Sequence, residues 1–324
     1  MKAFTFTTTP QTPADMFIAG GTTMIDLMKL GVIAPDRLVD LQAMSLSDIT
    51  VRGGTLHIGA LTTMAALADN PTVANRLPLV QLALLQSASP QIRNMATIGG
   101  NLLQRTRCSY FRDTGSPCNK RTPGSGCGAM GGDARGLAIL GTSAACIANY
   151  PGDLAIALLA VDAQVAVQGP DGQSRTIPLA NLHRTPDDTP ERETNLAPGD
   201  LITGISLALA DHTRSTYLKI RDRASYAFAL ASAAVSLTSD AGGTVTRCAI
   251  AVGGIATKPW RAAQAEAMMI GQKVTEVTAM AAGRAALSEA MPTADQRFKV
   301  DLAIRVIAKA ILDAAAHAHA DATV

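Results

Sequence analysis

The sequence has few aromatic side chains, almost no net charge and no long apolar run. Of its 324 residues 3% are aromatic, and 28 Lys and Arg against 26 Asp and Glu leave a formal net charge of +2. Such near-neutrality gives no electrostatic reason to expect nucleic acid or an anionic membrane as a partner. The longest uninterrupted apolar run, residues 154–161, is far shorter than the roughly 20 residues of a membrane-spanning helix. We therefore expect a soluble protein with no nucleic-acid partner and no membrane insertion.

The length and apolar content predict a folded protein with more than one domain. Hydrophobic residues make up 48% of the chain and charged residues 17%, which excludes a disordered or fibrous protein. A chain of this size can bury two or three separate cores. The first ten residues, MKAFTFTTTP, contain one Lys with no apolar stretch behind it, so we do not expect a secretory signal there.

Short strand-like runs alternate with helical runs along the chain, which predicts an α+β fold. The polar segment from His183 to Asp200 is typical of a linker, so we predict one domain over residues 1–200 and a second over residues 201–324. The predicted strands are 3–7, the strand-like run MFIAGGTTM at 16–24, 37–41, LAILG at 137–141, ACIAN at 145–149, AQVAVQG at 163–169, the edge segment SRTIPLANL at 174–182, 201–209 and 216–223, with hairpins at 53–54 and 240–243. The predicted helices are 24–30, 60–68, 77–88, 153–159, 262–270, 274–291 and 298–316.

The five cysteines are unevenly distributed. Four of them lie within 39 residues and the fifth, Cys248, stands about a hundred residues later in a predicted strand, where a buried, inert thiol is expected. An odd count argues against a complete disulfide framework, and a chain of this size needs none. The spacings of nine, eight and eighteen residues permit an iron–sulfur cluster or a structural zinc, and the lack of a C-x-x-C pair favours the cluster. The four candidate metal ligands are Cys108, Cys118, Cys127 and Cys146.

Residues 105–136 contain none of the apolar periodicity found elsewhere. The segment has eight charged residues, seven glycines and hardly any aliphatic side chains. Loops this long without secondary structure are usually functional, so we predict a loop that folds around a bound group. Its cations would offset the charge of a cluster and its thiolates, or dock an acidic partner: Arg105, Arg107, Arg112, Lys120 and Arg121.

Two glycine pairs predict an anion site. Ala19-Gly20-Gly21-Thr22-Thr23 leads into a helix, and Thr97-Ile98-Gly99-Gly100-Asn101 leads into an apolar segment, whereas neither G-x-G-x-x-G after a strand nor a P-loop motif is present. Glycine turns can offer backbone N–H groups with no Cβ in the way, and threonine adds hydroxyl donors. Each pair alone is also compatible with an ordinary tight turn. If the two faced one another, they could hold a pyrophosphate without a lysine.

Three segments of the chain resemble the flavin-binding subunit of the xanthine dehydrogenase family of molybdenum hydroxylases: FIAGGTTMIDLMK, QIRNMATIGGNLLQRTRC and KIRDRASYAFAL. The insertion RTRCSYFRDTGSPCNKRTPGSGC is similar to the one found in the aldehyde oxidoreductase branch, whose flavin subunit carries FAD and a [4Fe-4S] cluster. The resemblance covers essentially the whole chain. Members of the family have a helix between the first strand and the first glycine pair, where this chain has only TTTPQTPAD.

The resemblance implies a fold and a set of cofactor contacts. The fold is a two-lobed FAD-binding domain of the vanillyl-alcohol-oxidase type, with the cysteine insertion at about 105–146, and a smaller C-terminal α/β domain of the CO dehydrogenase flavoprotein type. The four clustered cysteines match the ligands of the [4Fe-4S] cluster. Asp153 and Lys219 would contact the flavin, although a helix N-cap and a solvated strand residue are the simpler interpretations of these two. The residues that would wrap the FAD pyrophosphate are Met16, Phe17, Ile18, Ala19, Gly20, Gly21, Thr22, Thr23, Met24, Thr97, Ile98, Gly99, Gly100 and Asn101.

The resemblance also implies an electron-transfer role within a heterotrimer. A molybdenum-cofactor large subunit would oxidise an aldehyde, a small subunit would carry [2Fe-2S] clusters, and FAD in this chain would pass the electrons to an external acceptor. Two alternatives are a flavin subunit like that of 4-hydroxybenzoyl-CoA reductase, with the opposite electron flow, and a flavin-free docking subunit stabilised by zinc. The complex would work in the periplasm if a partner supplied a twin-arginine export signal, or otherwise in the cytoplasm.

Overall fold

The computed structural model describes residues 3–210 and 214–316. Within these ranges the fold is α+β, as predicted, with three sheets and helices packed on or between them. No helix in the described ranges is long and apolar enough to cross a membrane.

A small parallel sheet opens the chain. Its strands have the order β1-β3-β2, and β3 pairs in parallel with both neighbours. The segment between the first two strands, residues 8–15, contains no helix. The elements are β1 (Thr5–Thr7), β2 (Met16–Ile18), α1 (Met24–Lys29) and β3 (Arg37–Asp40).

A five-stranded antiparallel sheet and a group of short helices form the second lobe of the first domain. The helix Leu154–Leu159 has six buried residues and lies at the centre of the largest apolar core, which explains its uninterrupted apolar sequence. The strands are β4 (Ile49–Arg52), β5 (Thr55–Gly59), β6 (Gln164–Gln168), β7 (Ser174–Pro178) and β8 (Leu201–Ala208). The helices are α2 (Met64–Ala68), α3 (Pro71–Arg76), α4 (Pro78–Leu85), α5 (Pro90–Met95), α6 (Ile98–Leu102), α7 (Ser109–Arg112) and α8 (Leu154–Leu159), with a 3₁₀ turn at Leu179–Asn181.

The C-terminal domain packs helices on a four-stranded sheet with the order β12-β11-β10-β9. The predicted hairpin around residues 240–243 is confirmed, and Cys248 is buried in its second strand as expected. The elements are β9 (Arg214–Ile220), β10 (Ala231–Ser239), β11 (Val245–Gly253), β12 (Trp260–Arg261), α9 (Ala263–Met269), α10 (Glu276–Ala286), a 3₁₀ turn at Ala294–Gln296 and α11 (Arg297–Ala316).

The structure corrects the predicted domain boundary. Strand β8 pairs with β5 and β6, so residues 201–208 complete the sheet of the first domain. The preceding segment is part of that domain as well, because His183 is buried and its ring packs edge-on against Tyr150 at a centroid distance of 4.8 Å. Polar composition predicted a linker there, but these contacts fix the segment to the domain. The first domain therefore extends past residue 200.

Two predicted strands, at residues 137–141 and 145–149, are absent as regular elements. Their backbone groups are used singly: Ala138 N–H donates to the Ile147 carbonyl, and Ile139 N–H donates to the Ile255 carbonyl. Leu140 forms one isolated bridge with Ala256. The apolar side chains are buried as a strand's would be, but no neighbouring strand runs alongside to form a ladder.

The buried Lys299 makes a testable contribution to stability. Its side chain is fully buried in α11 and its Nζ donates to the carbonyls of Leu137 and Gly254 at 2.7 and 2.8 Å. Burial lowers the pKa of this amine from 10.5 to about 8. Between these two pH values the unfolded chain binds more protons than the folded chain, so this group makes stability rise with pH there, by up to about 3 kcal/mol.

We therefore expect Lys299→Gln, which keeps a donor but cannot titrate, to lose this pH-dependent gain relative to the wild type. Chemical denaturation under reducing conditions at pH 7.5 and pH 10 measures it. Lys309→Gln, an exposed position on the same helix, is the control and should keep the gain. An equal gain in Lys299→Gln would contradict the assignment.

Candidate functional site

The first glycine loop, residues 19–23, connects β2 to α1 and has unused backbone donors. Gly21 adopts φ +72°, a conformation that side chains other than glycine rarely accept. Within the described part of the chain, the N–H groups of residues 20–23 donate no hydrogen bond. Successive unpaired amides of this kind form a concave site for an anion.

The second glycine segment is the start of a short helix rather than an open turn. Thr97 is the N-cap of α6, and its hydroxyl accepts from Gly100 N–H at 3.4 Å. The Gly99 and Asn101 amides are also occupied, by the carbonyls of Ala60 and Thr97 at 2.8 Å each. The expectation that both glycine pairs offer free amides is therefore wrong for this one. Its glycines instead allow close approach, since a Cβ on Gly99 would meet Ala60 at 3.0 Å.

The two glycine segments lie against one another. A Cβ on Gly20 would stand 1.7 Å from the carbonyl oxygen of Met95 and 3.3 Å from the nitrogen of Ala96, immediately before Thr97. Only glycine permits this approach. The juxtaposition that the sequence left conditional is thus present.

A cavity of about 350 Å³ opens beside this contact, and we call it the loop cavity. All residues from Met16 to Met24 line it, together with Thr97, Gly99 and Gly100. Ile98 does not, because its side chain is fully buried in the core. Among the described residues that line the loop cavity, Arg105 is the one basic side chain. From the sequence, Arg105 was predicted to offset charge in the cysteine loop. Its position only five residues after Gly100 is the feature that could have indicated a place near the glycine segments.

A second cavity, of about 690 Å³, lies between the two domains, and we call it the interdomain cavity. It shares Thr22, Thr23 and Gly100 with the loop cavity, so the two adjoin at the glycine segments. Asn101, Asp153 and Lys219 line it from the predicted set. The C-terminal domain contributes Asp222, Arg223, Tyr226, Ala227 and Phe228.

Asp153 and Lys219 form a buried ion pair on the wall of the interdomain cavity. Lys219 Nζ lies 2.8 Å from Asp153 Oδ2 and also donates to the Gln86 carbonyl at 3.1 Å. Asp153 accepts further hydrogen bonds from the hydroxyls of Tyr217, at 2.6 Å, and Ser87, at 2.8 Å. Burial and the Asp153 charge raise the pKa of Tyr217 well above its usual value, so this phenol remains a donor.

The simpler interpretation holds in part for Asp153 and not for Lys219. Asp153 occupies the N-cap position of α8, but its side chain makes no capping hydrogen bond. The Lys219 side chain is 1% exposed and is therefore not a solvated strand residue. A buried ion pair has a desolvation cost, which the hydrogen bonds to Ser87, Tyr217 and the Gln86 carbonyl help to offset here.

The four clustered cysteines converge on one small cavity, which we call the cysteine cavity. All four are free thiols; Cys108, Cys118 and Cys146 are buried, and Cys127 is half-buried. Cys118 and Cys127 face each other in an isolated antiparallel bridge. Burial raises the pKa of the Cys146 thiol to about 11, an effect that nearby Lys120 partly offsets. No set of three or more His, Cys, Asp or Glu with metal-holding geometry occurs among the described residues.

The cations of the insertion are engaged inside the protein. Arg107 and Arg112 pair with Asp26 at 3.3 and 2.8 Å, and hydrogen bonding from Arg112 lowers the pKa of that carboxyl. Arg121 donates to the carbonyls of Tyr110, Phe111 and Ser116. These contacts order the loop, and Arg107 and Arg112 also line the interdomain cavity.

Comparison with known proteins gives the same division into two domains. A family model described as the FAD binding domain in molybdopterin dehydrogenase matches residues 3–208, and the CO dehydrogenase flavoprotein C-terminal domain matches residues 216–314. These limits agree with the corrected boundary after β8. The chain is 44% identical to the aldehyde oxidoreductase FAD-binding subunit PaoB of Escherichia coli K12, over 98% of this chain and 100% of that protein.

More distant relatives match over most of their length. The glyceraldehyde dehydrogenase medium chain of Sulfolobus acidocaldarius is 26% identical over 86% of this chain and 82% of its own. The solved carbon monoxide dehydrogenase of Hydrogenophaga pseudoflava aligns with a TM-score of 0.72 and 27% identity, over 94% of this chain and 90% of that one. Two adjoining glycine segments, a cavity on each side of them and a matching second domain thus occur in a chain that belongs to the FAD-binding medium subunits of the molybdenum hydroxylase family.

Proposed function

We propose that this chain binds FAD across the loop and interdomain cavities and serves as the electron-transfer subunit of a molybdenum-containing aldehyde oxidoreductase. One observation carries the proposal: both cavities meet at Thr22, Thr23 and Gly100, beside four unused backbone donors. A dinucleotide has a doubly anionic centre and two bulky ends, and this arrangement offers an anion site between two spaces. The 44% identity to an aldehyde oxidoreductase FAD-binding subunit supports the substrate class.

In this proposal the diphosphate lies against the first glycine loop. The amides of residues 20–23 donate to its oxygens, the hydroxyls of Thr22 and Thr23 add further donors, and Arg105 supplies positive charge from the cavity wall. The second glycine segment acts mainly through its small size. A Cβ on Gly100 would lie 3.1 Å from Thr97 Oγ1 and would fill space beside the diphosphate.

We place the isoalloxazine in the interdomain cavity. Bound FAD supplies the redox chemistry, and the protein orients it and sets its electrostatic surroundings. The Asp153–Lys219 pair is held by Ser87, Tyr217 and the Gln86 carbonyl, so it offers a fixed charge distribution to a ligand. Asn101 Oδ1 is buried beside this space with no donor among the described residues, which suits an acceptor for a ligand N–H or O–H.

The partners follow from the same assignment. A molybdenum-cofactor large subunit and a [2Fe-2S] small subunit would complete a heterotrimer and deliver electrons to the FAD. One relative is an FAD-binding subunit and another is a medium chain, and both names support a multi-subunit enzyme. The complex would work in the periplasm if a partner carries an export signal, and otherwise in the cytoplasm.

We further propose that the cysteine cavity holds a [4Fe-4S] cluster. Four thiols that line one cavity match the donor set of such a cluster. The amide of Ala148 points to Cys146 Sγ at 3.4 Å, and hydrogen bonds of this type tune and stabilise cluster thiolates. Binding would draw the thiols together and release their protons.

The contact between the two glycine segments can be tested with Gly20→Ala. The added methyl would overlap the Met95 carbonyl, so the segments must separate. We expect FAD affinity to fall by about tenfold or more and stability by about 1–3 kcal/mol. Fluorescence titration of the flavin-free chain and chemical denaturation measure the two effects.

Gly136→Ala is the matched control, since a Cβ there meets nothing within 4 Å. It should bind FAD like the wild type. Unchanged FAD affinity in Gly20→Ala would exclude the glycine contact from the binding site.

The metal assignment can be tested with Cys118→Ser. We expect this variant to lose its iron while it keeps bound flavin, because the loop and cysteine cavities are separate. Iron and zinc analysis of the anaerobically purified protein measures the metal content, and the visible absorption spectrum shows whether flavin is bound. Cys248→Ser, a buried cysteine in β11, should keep its iron. Zinc in place of iron in the wild type, or full iron in Cys118→Ser, would refute the cluster.

A further inference from the structure

A chain of charges connects the cysteine insertion to the loop cavity. Arg105 lines the loop cavity and donates its Nε–H to Glu193 Oε2. Its guanidinium also stacks over the Phe111 ring, 4.5 Å from the centroid. Phe111 is fully buried in the core that contains the cysteines. The side chain of Arg105 is therefore held by the insertion on one side and by Glu193 on the other.

Glu193 divides its two oxygens between two cations. Lys120 Nζ lies 3.0 Å from Glu193 Oε1 and donates to the Pro190 carbonyl at 2.8 Å. Lys120 belongs to the insertion and lines the cysteine cavity, but it is not among the residues that line the loop cavity. One partly buried carboxylate thus joins the cation of the loop cavity to a cation of the insertion.

Sharing of this carboxylate has a physical consequence. While Lys120 neutralises part of the Glu193 charge, the Arg105 guanidinium is less strongly bound by Glu193 and attracts an anion in the loop cavity more effectively. Without the Lys120 charge, Glu193 retains an unpaired oxygen in a partly buried site and attracts Arg105 more strongly. The positive charge available to the loop cavity then falls.

We propose that Glu193 is a positioning residue through which Lys120 of the cysteine insertion raises the affinity of the loop cavity for the FAD diphosphate. This inference rests on the proposed FAD site. The insertion would then take part in flavin binding. Lys120 does not line the loop cavity, but through Glu193 it would adjust the charge of Arg105, which does line it.

The test is a double-mutant cycle on FAD affinity in the full-length, flavin-free chain, with Lys120→Met, Glu193→Gln and both together. We expect Lys120→Met to weaken FAD binding by about three- to tenfold in the presence of Glu193 and by less than about twofold in the Glu193→Gln background. Lys120→Arg should restore most of the affinity. Iron content and melting temperature are measured for each variant.

Asp162→Asn is the matched control. Asp162 also lies between two cations, Arg247 at 3.2 Å and Arg261 at 2.7 Å, and lines neither the loop nor the interdomain cavity. It should leave FAD affinity unchanged. The inference is overturned if Lys120→Met has no effect, or if its effect is equally large without Glu193. A wild-type chain that binds no FAD would overturn the proposed function itself, so the two failures are distinguishable.

Discussion

The close approach of Gly20 to the Met95 carbonyl is the contact on which the candidate site depends. It brings a loop of the small parallel sheet against the helices that pack on the five-stranded sheet, and the loop cavity forms where these two lobes meet. A side chain at this position would separate the lobes. The unused amides of residues 20–23 lie on the wall of this cavity, where in the proposed function they would bind the FAD diphosphate.

Two groups of charges around this site bear on the proposed function. Asp153 and Lys219 are buried between domains and fixed by neutral partners, so their geometry is set before any ligand binds. Arg105, Glu193 and Lys120 instead span the border between the loop cavity and the insertion. In the proposed function the first group would orient the ring system of the flavin, and the second would adjust the affinity for FAD.

Much of the fold could be predicted from the sequence because its signals are local. The hairpin at Gly53-Gly54, where both glycines have positive φ, follows from two residues and their flanking strands. The pairing of β8 with β5 joins segments more than a hundred residues apart. The polar segment directly before β8, residues 183–200, does not indicate this pairing. Residues 137–141 have the apolar composition of a strand, but whether a partner strand is present is a tertiary property.

The candidate site shows the same division. Glycine pairs reveal where a backbone is exposed, so the residues of the first loop were identifiable, and the cysteine spacing indicated a common site. The sequence could not predict which amides remain free, because the Gly99 N–H donates to the carbonyl of Ala60, nearly forty residues earlier. Ile98 likewise falls within a glycine motif but faces the core. Arg105 was missed because its sequence neighbours are those of the insertion, while its cavity is that of the loop.

The central claim is that the glycine segments hold the diphosphate of FAD. Competition titration of the flavin-free chain, with FAD fluorescence as the signal and ADP as the competitor, tests it most directly. The account predicts that ADP displaces FAD completely and that AMP, which lacks the second phosphate, competes far more weakly. FAD binding that ADP does not displace would contradict the account.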